Sequence, residues 1–160
     1  VADGQARGTR LATLCYVRRN GRTLMLHRNA SKDDYHYGKY NGLGGKLEPG
    51  ESPEQCLKRE VLEESGLEVL NWRLNGFITF PTFDGTNDWY VFVYTVTDFR
   101  GELIASPEGE LHWIEDDAVA GLELWEGDRI FLPWLQEPGI FSARFVYDGA
   151  VLTGHTVSWY

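Results

Sequence analysis

Four glutamates, Glu51, Glu60, Glu63 and Glu64, fall in one short stretch with Arg59 among them. On a helix, positions i, i+3 and i+4 are surface neighbours, so Glu60, Glu63 and Glu64 would share one region. Left unpaired, like charges at this spacing cost about 0.2–0.5 kcal/mol per pair. A hard divalent cation removes that cost. Mg²⁺ and Mn²⁺ prefer carboxylate, carbonyl and water oxygens, and they bridge readily to phosphates. Taken alone, Glu-x-x-Glu-Glu is more simply a solvated acidic face. Its surroundings argue otherwise: a glycine-rich stretch, Tyr40–Gly45, precedes the acids and Gly66 closes the segment.

The segment that carries the acids predicts a helix over Pro53–Ser65. Ser52 suits the N-cap, Pro53 the first helical position, Gln55 the reciprocal capping position and Gly66 the left-handed stop. Cys56, Leu57, Val61 and, more marginally, Leu62 form an apolar stripe, with Arg59, Glu60, Glu63 and Glu64 largely on other faces. Upstream, Leu11–Val17 and Thr23–Arg28 read as strands joined at Asn20-Gly21, a hairpin signal. Asn29–Tyr40 reads as a surface loop. The glycines of Tyr40–Gly45 bring backbone close to a ligand or another segment. Downstream, Trp72–Phe80, Trp89–Thr97 and Leu111–Ile114 read as strands, and Arg129–Gln136 as a second helix containing Pro133. Phe141–Tyr160 reads as a hairpin turning at Asp148-Gly149. Strands outnumber helices and a helix interrupts them, which predicts a mixed sheet flanked by helices.

The 160-residue chain is read as one domain, with residues 1–8 a flexible N-terminal segment. Its formal net charge of −9 argues against a long nucleic acid as partner. A small phosphate ligand is compatible, because a divalent metal neutralises carboxylates and phosphates together. No apolar run approaches the roughly 20 residues of a membrane helix. Val1–Arg10 contains no apolar core of a secretory signal. Cys15 and Cys56 lack zinc-site spacing and read as buried thiols, so the expected setting is the cytoplasm. His27, His36, His112 and His155 are scattered, which argues against a histidine metal site.

Gly45, five residues, Glu51, seven residues, then Arg59-Glu60-Val61-Leu62-Glu63-Glu64-Ser65-Gly66-Leu67 resembles the Nudix box at every defined position. The resemblance implies an α/β/α sandwich with a mixed sheet and a catalytic loop–helix–loop. It also implies Mg²⁺-dependent (or Mn²⁺-dependent) hydrolysis of a nucleoside diphosphate linked to another group. Glu60 and Glu64 are then the best metal ligands, with Glu63 a further ligand or the base that activates water. A carbonyl at Gly44 or Gly45 is another possible ligand. Arg59 would pair with Glu51 to hold the loop on the helix, and Glu108 or Glu110 would be a distal ligand.

Beyond the box, the chain resembles the MutT branch and its hydrolases of oxidised purine triphosphates. This implies conversion of a purine nucleoside triphosphate, such as 8-oxo-dGTP, to the monophosphate and pyrophosphate, and so nucleotide-pool sanitation by a monomer or homodimer. Tyr40-Asn41-Gly42-Leu43-Gly44-Gly45-Lys46 is similar to that branch's Trp-Asn-Gly-Phe-Gly-Gly-Lys, which puts Asn41 where a base-reading side chain sits. Trp125-Glu126-Gly127-Asp128 resembles its Trp-Pro-Asp-Asp. There Trp125 would stack on the base and Asp128 would bond its edge. Gly127 departs from that pattern, replacing the first of two acids. Thr13, Phe80 and Trp89 fall at substrate-pocket positions, and Lys46, Arg28 and Lys39 are phosphate candidates. Two other readings remain open: hydrolysis of ADP-ribose, a dinucleoside polyphosphate or a nucleotide sugar, and a non-catalytic nucleotide sensor.

Overall fold

Asn20 and Gly21 adopt left-handed backbone angles, φ 55° and 74°, and turn β1 (Thr9–Arg19) tightly into β2 (Arg22–His27). The computed structural model describes residues 7–160. Of the expected flexible segment at residues 1–8, residues 1–6 lie outside the described residues. Arg7 pairs with Asp88, and the Gly8 carbonyl accepts a hydrogen bond from the Asp88 amide at 2.9 Å.

After β2, the chain forms β3 (Tyr40–Asn41), β4 (Leu43–Lys46) and α1 (Pro53–Ser65). There follow β5 (Glu68–Phe80), β6 (Asp88–Arg100), β7 (Glu110–Glu115) and α2 (Glu126–Phe131). β8 (Phe141–Asp148) and β9 (Val151–Trp159) complete the fold. The strands join in one mixed sheet ordered β3-β2-β1-β6-β5-β8-β9, with β4 also pairing β1 and β7 pairing β2. β1 and β6 are parallel, as are β5 and β8; the other pairings are antiparallel.

Alternation along the central strands builds two cores, since successive side chains point to opposite faces. Cys15 and Val17 of β1 join Tyr94 and Val96 of β6 against Leu57 and Val61 of α1. On the other face, Ala12 and Tyr16 join Val91 and Val93 against Phe131 of α2 and Leu135 beyond it. Helices cover both faces, giving the expected α/β/α arrangement.

Ser52 caps α1 as its sequence predicts. Its hydroxyl accepts from the Gln55 amide at 3.1 Å, while the Gln55 side chain accepts from the Ser52 amide at 2.9 Å. Gly66 ends the helix at φ 81°. The buried face differs from the expected stripe. Leu62 is 51% exposed, whereas Glu64 and Ser65 are buried with Cys56, Leu57 and Val61. Contact with β4 draws the Glu64 side of the helix inward, which overrides the hydrophobic pattern.

The second helix begins three residues before the expected Arg129. The α-helical turns span Glu126–Phe131, and a tighter 3₁₀ helix continues over Leu132–Gln136. Pro133 lies in the first turn of that second piece, where its missing N–H costs least. The glycine-rich stretch contributes β3 and β4, which lie too close together for a strand pattern to emerge in sequence.

Replacing Ser52 by Ala is expected to cost about 1 kcal/mol. A thermal melt should read this as a fall in Tm of about 2–4 °C; an unchanged Tm would show that the cap contributes nothing to the anchoring of α1.

Candidate active site

β1, the β4 glycines, α1 and α2 enclose a cleft of about 490 Å³. Acidic side chains occupy one end and aromatic side chains the other.

At the acidic end, Arg59 holds the β4–α1 loop on the helix. Its Nε donates to Glu51 Oε2 at 2.7 Å and its Nη2 to Glu51 Oε1 at 2.9 Å, a two-pronged pairing. Nη2 also donates to the Lys46 carbonyl at 3.1 Å. Nη1 donates to Glu60 at 2.7 Å and to Glu63 at 3.3 Å. Glu51 further accepts from the Glu48 amide at 3.0 Å. The Arg59 bonds, helped by that amide, hold the Glu51 carboxyl down at about 2. Arg59 is raised in turn, chiefly by Glu51.

Glu60 and Glu64 line the cleft. Gly45 makes room for Glu60: a Cβ at Gly45 would lie 2.6 Å from the Glu60 carboxyl carbon. Glu64 is only 4% exposed. Its Oε1 accepts from the Gly44 amide at 3.4 Å, while its Oε2 is buried without a partner. Burial, followed by the neighbouring Glu60 carboxylate, pushes Glu64 up to about 9. An orphaned carboxylate oxygen beside a second carboxylate is a donor set that a hard divalent cation satisfies. Glu108 also faces the cleft, with Arg28 Nη2 at 3.4 Å, whereas Glu110 accepts from Asn29 outside it.

Glu63 lies apart from Glu60 and Glu64. Its side chain is 57% exposed, reaches only Arg59 and does not line the cleft. Among the described residues, no three His, Cys, Asp or Glu side chains form a metal-holding group. The 100° advance per helical residue that brings Glu64 inward turns Glu63 away.

Thr13 stays beside α1: it pairs in register with Gly45 and lies 3.3 Å from Cys56 Sγ. Asn41 is buried and its Oδ1 has no partner. Asp128 is buried, and desolvation raises it to about 7 against the opposing pull of Arg129 and Lys39. Phe80 and Trp89 line the cleft, with Trp89 Nε1 donating to Asp84 at 3.0 Å. Lys46 lines it too, and makes no ion pair among the described residues. Arg28 is engaged by Asp34 at 2.7 Å as well as by Glu108. Lys39 turns away to Glu123 at 3.3 Å and lies 5.1 Å from the centroid of the Trp125 ring.

Trp125 is 7% exposed, and its ring already stacks on Tyr35, with centroids 5.5 Å apart and planes 17° apart. Tyr35 thus covers one face of the indole. At Gly127, a Cβ would lie 2.7 Å from the Tyr147 hydroxyl and 2.9 Å from Phe145 Cδ1. The Gly127 amide donates to that hydroxyl at 2.7 Å. Tyr147 therefore fills the space that an acid at this position would need.

Asp34, Tyr35, His36, Phe83 and Tyr147 also line the cleft, and none was singled out from sequence. The clustering of Tyr35, His36 and Tyr37 was the available signal, although an aromatic surface loop reads the same way.

This cleft, with its capped acidic helix against a glycine loop, belongs to the Nudix class of hydrolases: the family model for the NUDIX domain matches residues 8–135, and the chain is a member of that family. Among its relatives is the oxidized purine nucleoside triphosphate hydrolase of Danio rerio, 32% identical with 88% of each chain covered. The enzyme of the same name from Mus musculus is 31% identical, again over 88% of each chain. A MutT protein from Bacillus halodurans superposes with a TM-score of 0.82 at 30% identity, covering 93% of this chain and 97% of its own.

Asp128 makes stability depend on pH in a definite direction. Below about 4 the carboxyl is neutral in both folded and unfolded chains, so burying it costs no charge desolvation. Between about 4 and about 7 only the unfolded chain ionises, and stability falls as pH rises; above 7 the penalty is complete. Asp128→Asn should match the wild type near pH 4 and exceed it by a few kcal/mol at pH 8 in urea unfolding. A constant difference across that range would contradict the assignment.

Proposed function

We propose that this Nudix hydrolase is a Mg²⁺-dependent (or Mn²⁺-dependent) diphosphohydrolase of purine nucleoside triphosphates, releasing the monophosphate and pyrophosphate. The observation that carries the reading is the pairing of Glu60 with the orphaned Glu64 oxygen in a cleft that also holds the unsatisfied Asn41 Oδ1. The names of the zebrafish and mouse relatives support an oxidised purine such as 8-oxo-dGTP as substrate.

In this proposal, Glu60 and Glu64 would hold the cation, with Glu63 a further ligand or the base that activates water, and Glu108 and the Gly45 carbonyl as further oxygen ligands. When bound, the cation supplies charge neutralisation and polarisation at the phosphoryl oxygens. Arg59 keeps the carboxylates and the loop in register through Glu51, and Glu63 steadies Arg59. Lys46 and Arg28 attract the polyphosphate. Asn41 offers an acceptor to a base N–H, and Asp128 bonds the base edge as either donor or acceptor near neutral pH. Thr13, Phe80 and Trp89 shape the pocket around the base. Nucleotide-pool sanitation in the cytoplasm is the corresponding role, and two buried free thiols suit that reducing setting. Among the described residues, no helix is long and apolar enough to cross a membrane.

The test is kcat/KM for 8-oxo-dGTP, dGTP and ADP-ribose with Mg²⁺, with products identified. A purine triphosphate should be preferred and pyrophosphate released. Faster release of AMP from ADP-ribose would overturn the reading. Glu64→Gln should abolish Mg²⁺-dependent turnover, and Arg59→Ala should lower it by about 10–100-fold. Full Mg²⁺-dependent activity in Glu64→Gln would refute the metal assignment.

A further inference from the structure

Tyr35 and His36 come from the loop between β2 and β3, outside the box and outside the segments that resemble the purine pocket. They meet Trp125 at the aromatic end of the cleft. The Trp125 indole N–H donates to His36 Nδ1 at 2.9 Å. An indole nitrogen can only donate, so Nδ1 must be the accepting, unprotonated nitrogen, and a neutral ring carries its hydrogen on Nε2. Burial, and then the nearby Arg28, lower the histidine to about 4 against the opposing Asp34, so the ring is neutral at physiological pH.

The loop is held from several sides. The Tyr35 hydroxyl donates to the Phe83 carbonyl at 2.9 Å, and the His36 amide donates to Asp34 Oδ1 at 3.0 Å. Asp34 is itself clamped by Arg28 Nε at 2.7 Å. The His36 ring also stacks on Phe83 at 6.1 Å, with planes 22° apart. His36 lines the cleft, and Nε2–H makes no hydrogen bond among the described residues. This is an oriented, tautomer-locked donor in a cleft that also holds a buried acceptor without a partner, Asn41 Oδ1, apart from the unpartnered Glu64 Oε2 at the acidic end.

We infer that His36 is a specificity-determining residue: through Nε2–H it donates a hydrogen bond to a ring acceptor of the bound purine, with Trp125 acting as the positioning residue that fixes its tautomer. The inference rests on the purine reading above. It assigns Trp125 an added task, since the indole orients the side chain that reads the base. It also separates the roles of Asn41 and His36. Asn41 answers a donor on the base and His36 answers an acceptor, so a ring that presents both in the right order gains both bonds.

The experiment uses dGMP as probe, which binds without being turned over, and inorganic tripolyphosphate as a probe without a base. In imidazole ¹⁵N spectra of the full chain, His36 should show the Nε2–H tautomer, and its Nε2 signal should move on saturation with dGMP. Trp125→Phe should release the lock and give a mixture of tautomers. His36→Phe, which keeps an aromatic ring beside Phe83, should weaken dGMP about five- to tenfold, the loss of one hydrogen bond. Tripolyphosphate binding should stay unchanged. His36→Gln, whose amide can both accept from the indole and donate to the base, should recover part of the dGMP affinity. Equal dGMP affinity in His36→Phe and wild type, an unmoved Nε2 signal, or equal weakening of tripolyphosphate would each overturn the inference. A wild type that hydrolyses some other diphosphate but does not bind dGMP would instead defeat the purine reading, and the inference with it.

Discussion

The two-pronged bond from Arg59 to Glu51 is the constraint on which the site depends. Glu51 sits in the loop before α1 and Arg59 on the second turn of the helix, so the pair converts a glycine loop into a fixed wall. The same guanidinium reaches the Lys46 carbonyl, Glu60 and Glu63. One cation thus balances a cluster of acids that would otherwise push the helix and loop apart. A lysine has the charge but not the planar fork needed to serve these partners together.

Given that wall, the acids divide by helix geometry. Glu60 and Glu64, one turn apart, face the cleft, and Glu64 is buried deeply enough to lose its solvation. Glu63, between them, points to water. Burial of Glu64 is, like that of Asp128, an unfavourable feature of the fold, tolerated because cores on both faces of the sheet hold α1 and β1 in place. Such a feature is typical of a site that stores a cost until a ligand relieves it.

The aromatic end follows a different logic. Trp125 is packed by Tyr35, Phe83 and Tyr147, and its indole is committed to His36. The missing acid at Gly127 and the Tyr147 hydroxyl are one feature: the tyrosine occupies the space and takes the Gly127 amide. The polar groups at this end are Asn41 and Asp128, both buried, with a neutral histidine beside them.

Local chemistry was sufficient to read α1 from sequence, because Ser52, Pro53, Gln55 and Gly66 act within their own turns. The Asn20-Gly21 hairpin was legible for the same reason, and the box motif led directly to the family. Three features depended on long-range contacts. Leu62 and Glu64 exchanged places because β4, not the helix's own pattern, decides which face is covered. The second helix started early because packing on the core outweighs the weak signal around Pro133. Tyr35 and His36 looked like ordinary loop residues, since their partners Phe83 and Trp125 lie about 50 and 90 residues away in the chain. The sequence by itself determined the reaction class, because the full box motif identifies the family where helical spacing of acids alone would read as a solvated face. Only the tertiary structure decided which acid is buried and what lines the aromatic end of the cleft, because burial and side-chain partners are set by distant segments meeting across the sheet.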